Sequence, residues 1–278
     1  MSDRTFLATA ALVRDTFREA LARKIFWGFF GCSTALILFF LFIMKIDVVQ
    51  GAMATISLFG KTSTGQDVTR LVRQVHGGIA AFLYTAGMFL AVFASTGLIA
   101  SIFEPGRIEL LLSKPVARHH ILLGRYLGNV LVIAANVLYL VFAVWLIFGF
   151  KTGVWTYGFL WSSVLTIFVF SVLLTVVLLI GVLWESAVLA TMVTFAIMII
   201  SPILAQQSTL ERLLTSQWSR DVVHGLYYVL PKVFDLGRIS RALVLGDPIG
   251  DWMPVWSSAL FGLVVLGNGL YAFARRNY

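Results

Sequence analysis

The sequence predicts an all-α polytopic membrane protein with six transmembrane helices and an N-terminal amphipathic interfacial helix. Three observations carry that expectation. The 278 residues are 59% hydrophobic and only 12% charged, against about 25% charged in an ordinary soluble domain. The mean hydropathy is +0.92, which leaves too little polar surface to cover a water-facing core. Six apolar runs then recur along the chain, at 25–44, 77–103, 127–150, 157–183, 187–204 and 253–274, none containing Asp, Glu, Lys or Arg. About 20 apolar residues suffice to cross roughly 30 Å of hydrocarbon at 1.5 Å per residue. Strands of an outer-membrane barrel would instead be segments of about 10 alternating residues.

The chain divides into an arm, 1–24, and a membrane domain, 25–278. In the arm, Phe6, Ala10, Val13, Phe17 and Leu21 recur at helical spacing, with Arg14, Asp15, Arg18 and Glu19 off that face. Such a helix is expected to lie in the headgroup layer, apolar side down; the plainer alternative is a helix packed on protein. No small-residue cleavage site follows the first apolar run, so the arm does not read as a signal peptide. Spans three and four are joined by a short turn at 151–156, and four and five by Trp184-Glu185-Ser186, giving two tight hairpins. The remaining links, 45–76 and 205–252, read as outer loops.

Six spans put both termini on one side. Lys and Arg divide almost evenly between the two sides, but the terminal side has far fewer loop residues. Its short basic loops predict cytoplasmic termini. The net charge of +8 is thus a topology and headgroup signal. No basic stripe interleaves with exposed aromatics, so no nucleic-acid partner is expected, whereas membrane lipid is.

Several chemistries find no support. The spans hold no ionisable group for a proton relay, only polar residues such as Asn129, Asn136 and Asn268. The histidines, His76, His119, His120 and His224, fall at span ends or in loops, not at haem-ligating depth. His119 and His120 have no Cys, Asp or Glu at ligand spacing, and no metal site is expected. Cys32 stands alone within a span and reads as a packing residue. Gly60-Lys61-Thr62 ends like a phosphate-binding loop, but the required earlier glycine is Thr55. The chain therefore has no ATP site of its own, no cofactor and no catalytic centre.

The informative stretch is 101–131, SIFEPGRIELLLSKPVARHHILLGRYLGNVL. Gly106 after Pro105 is turn-prone. Beyond it Ile108, Leu111 and Leu112 make an apolar face beside Arg107, Glu109 and Lys114, and Pro115 stops the element. This is a short amphipathic knob that another protein could grip, or a connecting loop lying on headgroups. The stretch resembles the cytoplasmic signature of ABC-2 type transporter permeases: a leading Glu, Gly two later, "ELLLS-basic-Pro", then a basic residue and "ILLGK". Those places fall on Glu104, Gly106, Glu109 to Ser113, Lys114, Pro115, Arg118 and Ile121 to Gly124, with Arg125 in the last basic place. Pro105 is a departure from the pattern. The stretch YYVLPKVFDLGRISRAL, with Pro231 and Asp235, also resembles the family's segment before its last span.

The resemblance implies a permease subunit in a bacterial plasma membrane, exporting a substrate or doing mechanical work. Two copies would pair, with two separate ABC ATPase subunits beneath that hold ATP and Mg²⁺. The ATPase-coupling residues would be Glu104, Gly106, Arg107, Glu109, Lys114, Pro115 and Arg118, with Trp184 and Glu185 as a smaller second contact or only a tight turn. Small-x-x-x-small pairs, Gly31/Ala35 and Ser258/Gly262, allow close helix approach between copies or within one chain. The 205–252 loop offers a surface to a partner on the outer side. A non-transport scaffold or assembly factor remains the rival reading, and an intramembrane enzyme a weaker third. No residue announces a substrate.

Overall fold

The protein is described by a computed structural model covering residues 2–22, 24–43, 45–49, 53–58, 61–101, 118–206, 210 and 216–276. Helix α1 (Ser2–Ala22) leads into α2 (Lys24–Leu38), which ends in a π turn, Phe39–Ile43. The two helices meet at 71°, and Trp27 Nε1 donates to the Leu21 carbonyl across the bend at 2.8 Å. α3 (Val68–Phe82), a second π turn (Leu83–Gly87) and α4 (Met88–Ala100) form one continuous helical column. Then come α5 (Arg118–Thr152), α6 (Tyr157–Trp184), α7 (Ala187–Leu204), α8 (Gln217–Val229), α9 (Val233–Leu245) and α10 (Met253–Arg275).

Five of these columns, starting at Val68, His119, Tyr157, Ala187 and Met253, are long and apolar enough to cross a membrane. The bent pair formed by α1 and α2 supplies the sixth if it counts as one span. The all-α polytopic expectation therefore holds. α6 is the axis of the bundle. Two thirds of its most apolar window is buried, 67% against at most 28% for the other spans, because α10, α5, α7, α4 and α9 all pack on it.

Local chemistry accounts for the joints. Asp67 caps α3, its Oδ1 accepting from the Thr69 amide at 2.9 Å. Gly153 takes φ +72° in the α5–α6 turn, a left-handed conformation that costs glycine nothing. The π turn of α2 leaves terminal carbonyls without helical partners, and Lys151 Nζ reaches across from α5 to those of Phe40 (2.8 Å) and Leu41 (2.7 Å). A long amine at the end of one span thus closes the end of another.

Both loops expected at the far end contain structure that the sequence reading did not foresee. Residues 45–67 form an antiparallel meander, β1 (Lys45–Val49), β2 (Met53–Leu58) and β3 (Lys61–Asp67), in the order β1-β2-β3. Lys61 and Thr62 pair with Leu58 and Ser57 in this sheet. They lie in a strand, not at the helix N-terminus a phosphate-binding loop would need.

Residues 217–245 form two helices, α8 and α9, joined by a short bend, and the start of α9 is set between the spans. The first amides of α9 are taken by side chains of neighbouring helices. Lys232 N donates to Ser258 Oγ of α10 at 3.0 Å, and Phe234 N donates to Ser201 Oγ of α7 at 2.9 Å. Tyr84, within the π turn that follows α3, donates its hydroxyl to the Val233 carbonyl. Its ring packs flat against Gly237, where a Cβ would sit 2.8 Å from ring carbon. Val233, Leu236 and Ile239 join the main core. At the other end of α9, Arg73 Nη1 donates to the Leu245 carbonyl at 2.7 Å. Gly158 lies so close that a Cβ there would meet the Leu243 carbonyl at 1.8 Å.

Candidate partner-coupling site

Most of the expected coupling residues, Glu104, Gly106, Arg107, Glu109, Lys114 and Pro115, lie outside the described residues. Arg118 opens α5, with its side chain also outside them. The structure does describe the two roots of that segment, Ser101 at the end of α4 and the first turns of α5, and what holds them.

A buried ion pair joins the roots. Arg125, about two turns into α5, is 1% exposed. A guanidinium cannot shed its charge, so burial demands a carboxylate and filled hydrogen bonds. Glu19 of α1 supplies both: Arg125 Nη1 donates to Glu19 Oε2, while Ser101 Oγ donates to Glu19 Oε1 at 3.0 Å. Asp15, one turn earlier on α1, stands 3.9 Å from Arg125 Nη2. One carboxylate on the N-terminal helix therefore bonds the last turn before the 102–117 segment and the first turns after it.

The close approach that makes this possible is written in small residues. On α5, Gly124 and Gly128 face Leu12 and Thr16 of α1. A Cβ on Gly124 would come within 2.6 Å of the Leu12 Cβ, and one on Gly128 within 2.5 Å of the Thr16 Cβ. Thr16 and Ala20 are buried, and Phe17 packs against the cluster of Ala20, Leu98 and Val132. The buried stripe of α1 thus runs through Leu12, Thr16 and Ala20, one position off the Val13–Phe17–Leu21 stripe expected from hydrophobic spacing. α1 is docked on protein along this face, the plainer of the two placements its sequence allows. Backbone proximity, available only opposite glycine, decides the contact over side-chain hydrophobicity.

The second expected contact, Trp184 and Glu185, lies at the α6–α7 turn. The fold places it at the same end, since Thr191 Oγ1 near the start of α7 donates to Thr96 Oγ1 near the end of α4 at 3.1 Å. Trp184 is exposed. Glu185 holds φ +54°, the one left-handed non-glycine residue among those described, and its amide closes α6 on the Gly181 carbonyl at 2.9 Å. Arg276 Nη2 pairs with Glu185 Oε1 at 3.0 Å, and Arg276 Nη1 donates to the Val182 carbonyl. A cation at the C-terminal carbonyls of α6 suits its dipole. The turn is thereby tied to the end of α10.

Glu19, Asp15, Ser101, Gly124 and Gly128 were missed as site residues. Their signal was present: Gly124-x-x-x-Gly128 answers Leu12-x-x-x-Thr16, and Asp15 and Glu19 lie one turn apart on the polar side of α1. The small-residue pairs that were singled out do other work. Ser258 is buried and holds the α9 amide, and Gly262 packs on Val172 of α6, so that pair serves packing within the chain. Gly31 has open space around its Cα. The histidines are structural or superficial. His76 is stacked 4.3 Å from Phe159, with Nδ1 2.6 Å from Thr156 Oγ1, and the rings of His119 and His120 lie against one another. Among the described residues no group of three or more His, Cys, Asp or Glu is arranged to hold a metal.

A comparison with curated proteins returns no match. A comparison with protein families matches "ABC-2 family transporter protein" over residues 10–277, which takes in the part of α1 that docks on α5 and every span. The chain is a multi-pass membrane protein that belongs to the ABC-2 transporter family, whose members are membrane permease subunits.

Proposed function

We propose that this permease moves or extrudes its substrate across a bacterial plasma membrane with energy from a separate ATPase subunit docked on the 104–118 element. The termini lie in the cytoplasm. Two copies of the chain pair over two ATPase subunits, which hold ATP and Mg²⁺. The observation that carries this reading is the Arg125–Glu19–Ser101 junction. A segment that merely linked two spans would not need both its roots fastened through one half-buried carboxylate. A segment that is pushed must pass the push on to something stiff. Here the stiff body is the packed unit of α1, α4 and α5. Trp184 and Glu185, tied to α10 through Arg276, offer the ATPase a smaller second contact.

The test is co-purification with the candidate ATPase, then ATP hydrolysis and transport in lipid, comparing the native chain with Glu104→Ala and Glu104→Lys. Truncating one member of a buried interfacial charge pair costs about 2–5 kcal/mol, a rim charge much less. Both variants are expected to insert, to let ATP hydrolysis persist or fall, and to lose transport. Normal partner binding with normal transport in both would remove the docking role from this segment and favour a scaffold that anchors a partner without being driven by it.

A further inference from the structure

α2 packs along α5, not along α4. Phe30 stacks on Tyr139 at 4.8 Å, and Ser33 Oγ donates to Asn136 Oδ1 at 3.1 Å. A crevice runs up the side of α5 that this leaves open. Its deeper part, about 90 Å³, is walled by residues that include Cys32, Leu36, Leu83, Met88 and Ile133. A smaller space of about 30 Å³ continues it toward Ala20 and Leu98, and Phe29, Ile133 and Asn136 wall both. The π turn Leu83–Gly87 forms one side of the deeper part. Such turns within long helices recur at functional sites.

The walls are apolar except for two carboxamides that are half satisfied. Asn129, 1% exposed, donates Nδ2 to the Arg125 carbonyl at 2.9 Å, while its Oδ1 is buried without a partner. Asn136 spends Oδ1 on Ser33 and leaves Nδ2 buried and unpaired. Both side chains line the crevice. An amide in an apolar wall with an empty hydrogen-bonding atom asks for an occupant that is itself mostly apolar and carries a polar group.

Depth selects the occupant. α5 has 35 residues, about 52 Å at 1.5 Å per residue, so its charged first turns extend past a hydrocarbon layer of roughly 30 Å. Asn129 lies one turn from Arg125, at the inner boundary, and the crevice runs on to Leu140, about 16 Å further by the same rise. We infer that this crevice binds a single-chain amphiphile drawn sideways from the adjoining leaflet. Its hydrocarbon chain lies along Ile133 to Leu140, and a hydroxyl or amide N–H at its head donates to Asn129 Oδ1. Cys32, the sole cysteine of the chain and exposed, and Leu90, half exposed, form the lip. The crevice is built within one chain and requires neither an ATPase nor a second copy.

The test uses the full chain in nanodiscs with two photoreactive probes that share a hydrocarbon chain bearing a diazirine. One is a monoacylglycerol, which has hydroxyl donors, and the other is the methyl ester of the same chain, which has none. Crosslinks are expected to concentrate on Cys32, Leu36, Met88 and Ile133, and to be about three-fold or more stronger with the hydroxyl probe, the ratio one net hydrogen bond provides. Asn129→Leu should erase the preference between probes. Ala91→Phe, which fills the crevice, should bring both down to the level seen at Trp161 and Leu263, exposed elsewhere on the bundle, without changing labelling there. Crosslinks spread evenly over the lipid-facing helices, as for a crevice holding only water, overturn the inference. Equal crevice labelling by the two probes also overturns it.

Discussion

Replacing Glu19 by alanine removes the carboxylate on which the buried Arg125 depends. The side chain of Arg125 is 2% exposed and that of Glu19 16%, so the pair is largely out of water. Breaking such a pair from one side costs about 3–5 kcal/mol, because the remaining charge is left buried without its partner. Asp15 offsets little: it is 3.9 Å away and 63% exposed, and exposed partners contribute about 0–1 kcal/mol. Ser101 loses an acceptor but keeps the Leu98 carbonyl at 2.8 Å, adding nothing large. The expected loss for Glu19→Ala is therefore near the lower limit, about 3 kcal/mol. Glu19→Gln retains an acceptor and gives up the charge assistance that roughly doubles such a bond, so it should cost distinctly less.

The decisive variant is the double one. A buried pair exchanged for well-packed apolar side chains is often neutral or stabilising, so Glu19→Leu with Arg125→Met should recover most of what Glu19→Leu alone loses. Reversible unfolding in bicelles, run as a double-mutant cycle, measures this directly. A loss under about 0.5 kcal/mol for Glu19→Ala, or single effects that simply add at these contacting residues, would refute the account of the junction as a buried ion pair.

Other expectations follow from neighbouring parts of the molecule. Gly128→Leu cannot be accommodated against Thr16 and should release α1 from α5, seen as faster proteolysis near residue 20 in membranes, with the spans still inserted. Glu185→Ala breaks an ion pair both of whose members are more than a third exposed, so unfolding should shift by no more than about 1 kcal/mol. In a Cys32→Ser background, cysteine at Thr64 or Ser216 should react with an impermeant reagent added to whole cells, and cysteine at Ser2 or Ser113 should not; the reverse pattern inverts the topology. Burial, aided by nearby Asp235, raises the Tyr227 phenol to about 12. A raised folded value means stability is complete below the unfolded value near 10 and falls as pH climbs from there through about 12. Burial lowers Lys232 instead, against the pull of Asp235, so its contribution has the opposite sign and is lost as pH falls through the lowered folded value. Tyr227→Phe should remove a phenolate transition near 12, not near 10, in an alkaline absorbance titration.

The spans were legible because hydrocarbon imposes a length and an apolar composition that survive any packing detail. The α8–α9 pair escaped for the converse reason. Its second helix carries Asp235, Arg238 and Arg241, which no apolar window tolerates, yet its other face is core. What holds the start of α9 between the spans is a set of hydroxyls, Ser201, Ser258 and Tyr84, that lie far apart in sequence. They take the bare amides and the carbonyl that would otherwise forbid the position. In the meander at 45–67 the apolar alternation is short, Ile46 and Val48 in β1 and Ala54, Ile56 and Leu58 in β2, and β3 carries none. Both π turns lie inside apolar runs, where one residue more per turn leaves no compositional trace.

At the site, the motif between spans two and three named the segment but not its anchor. Hydrophobic spacing marked the Phe17 and Leu21 face of α1 and gave no sign of the adjoining stripe on α5, because it scores Thr16 and Ala20 below Phe17 and Leu21, whereas a close approach to glycine backbone favours small side chains. That choice has a mechanical consequence. A helix seated on Phe and Leu could slide on lipid or on a smooth apolar surface. A helix seated in the notches of Gly124 and Gly128, with Glu19 bonded to residues on both sides of the 102–117 segment, cannot shift without unmaking a buried charge pair. A displacement of either root would therefore be felt by α1 and α5 together. Through the 71° joint at Trp27 it would be passed to α2, the helix that forms one wall of the membrane crevice. Glu19→Ala should accordingly loosen α2 as well as α1. Spin labels replacing Cys32 on α2 and Leu90 on α4, both exposed, would report it as a broader distance distribution across the crevice than in the unmutated chain. An unchanged distribution would confine the role of the junction to α1, α4 and α5.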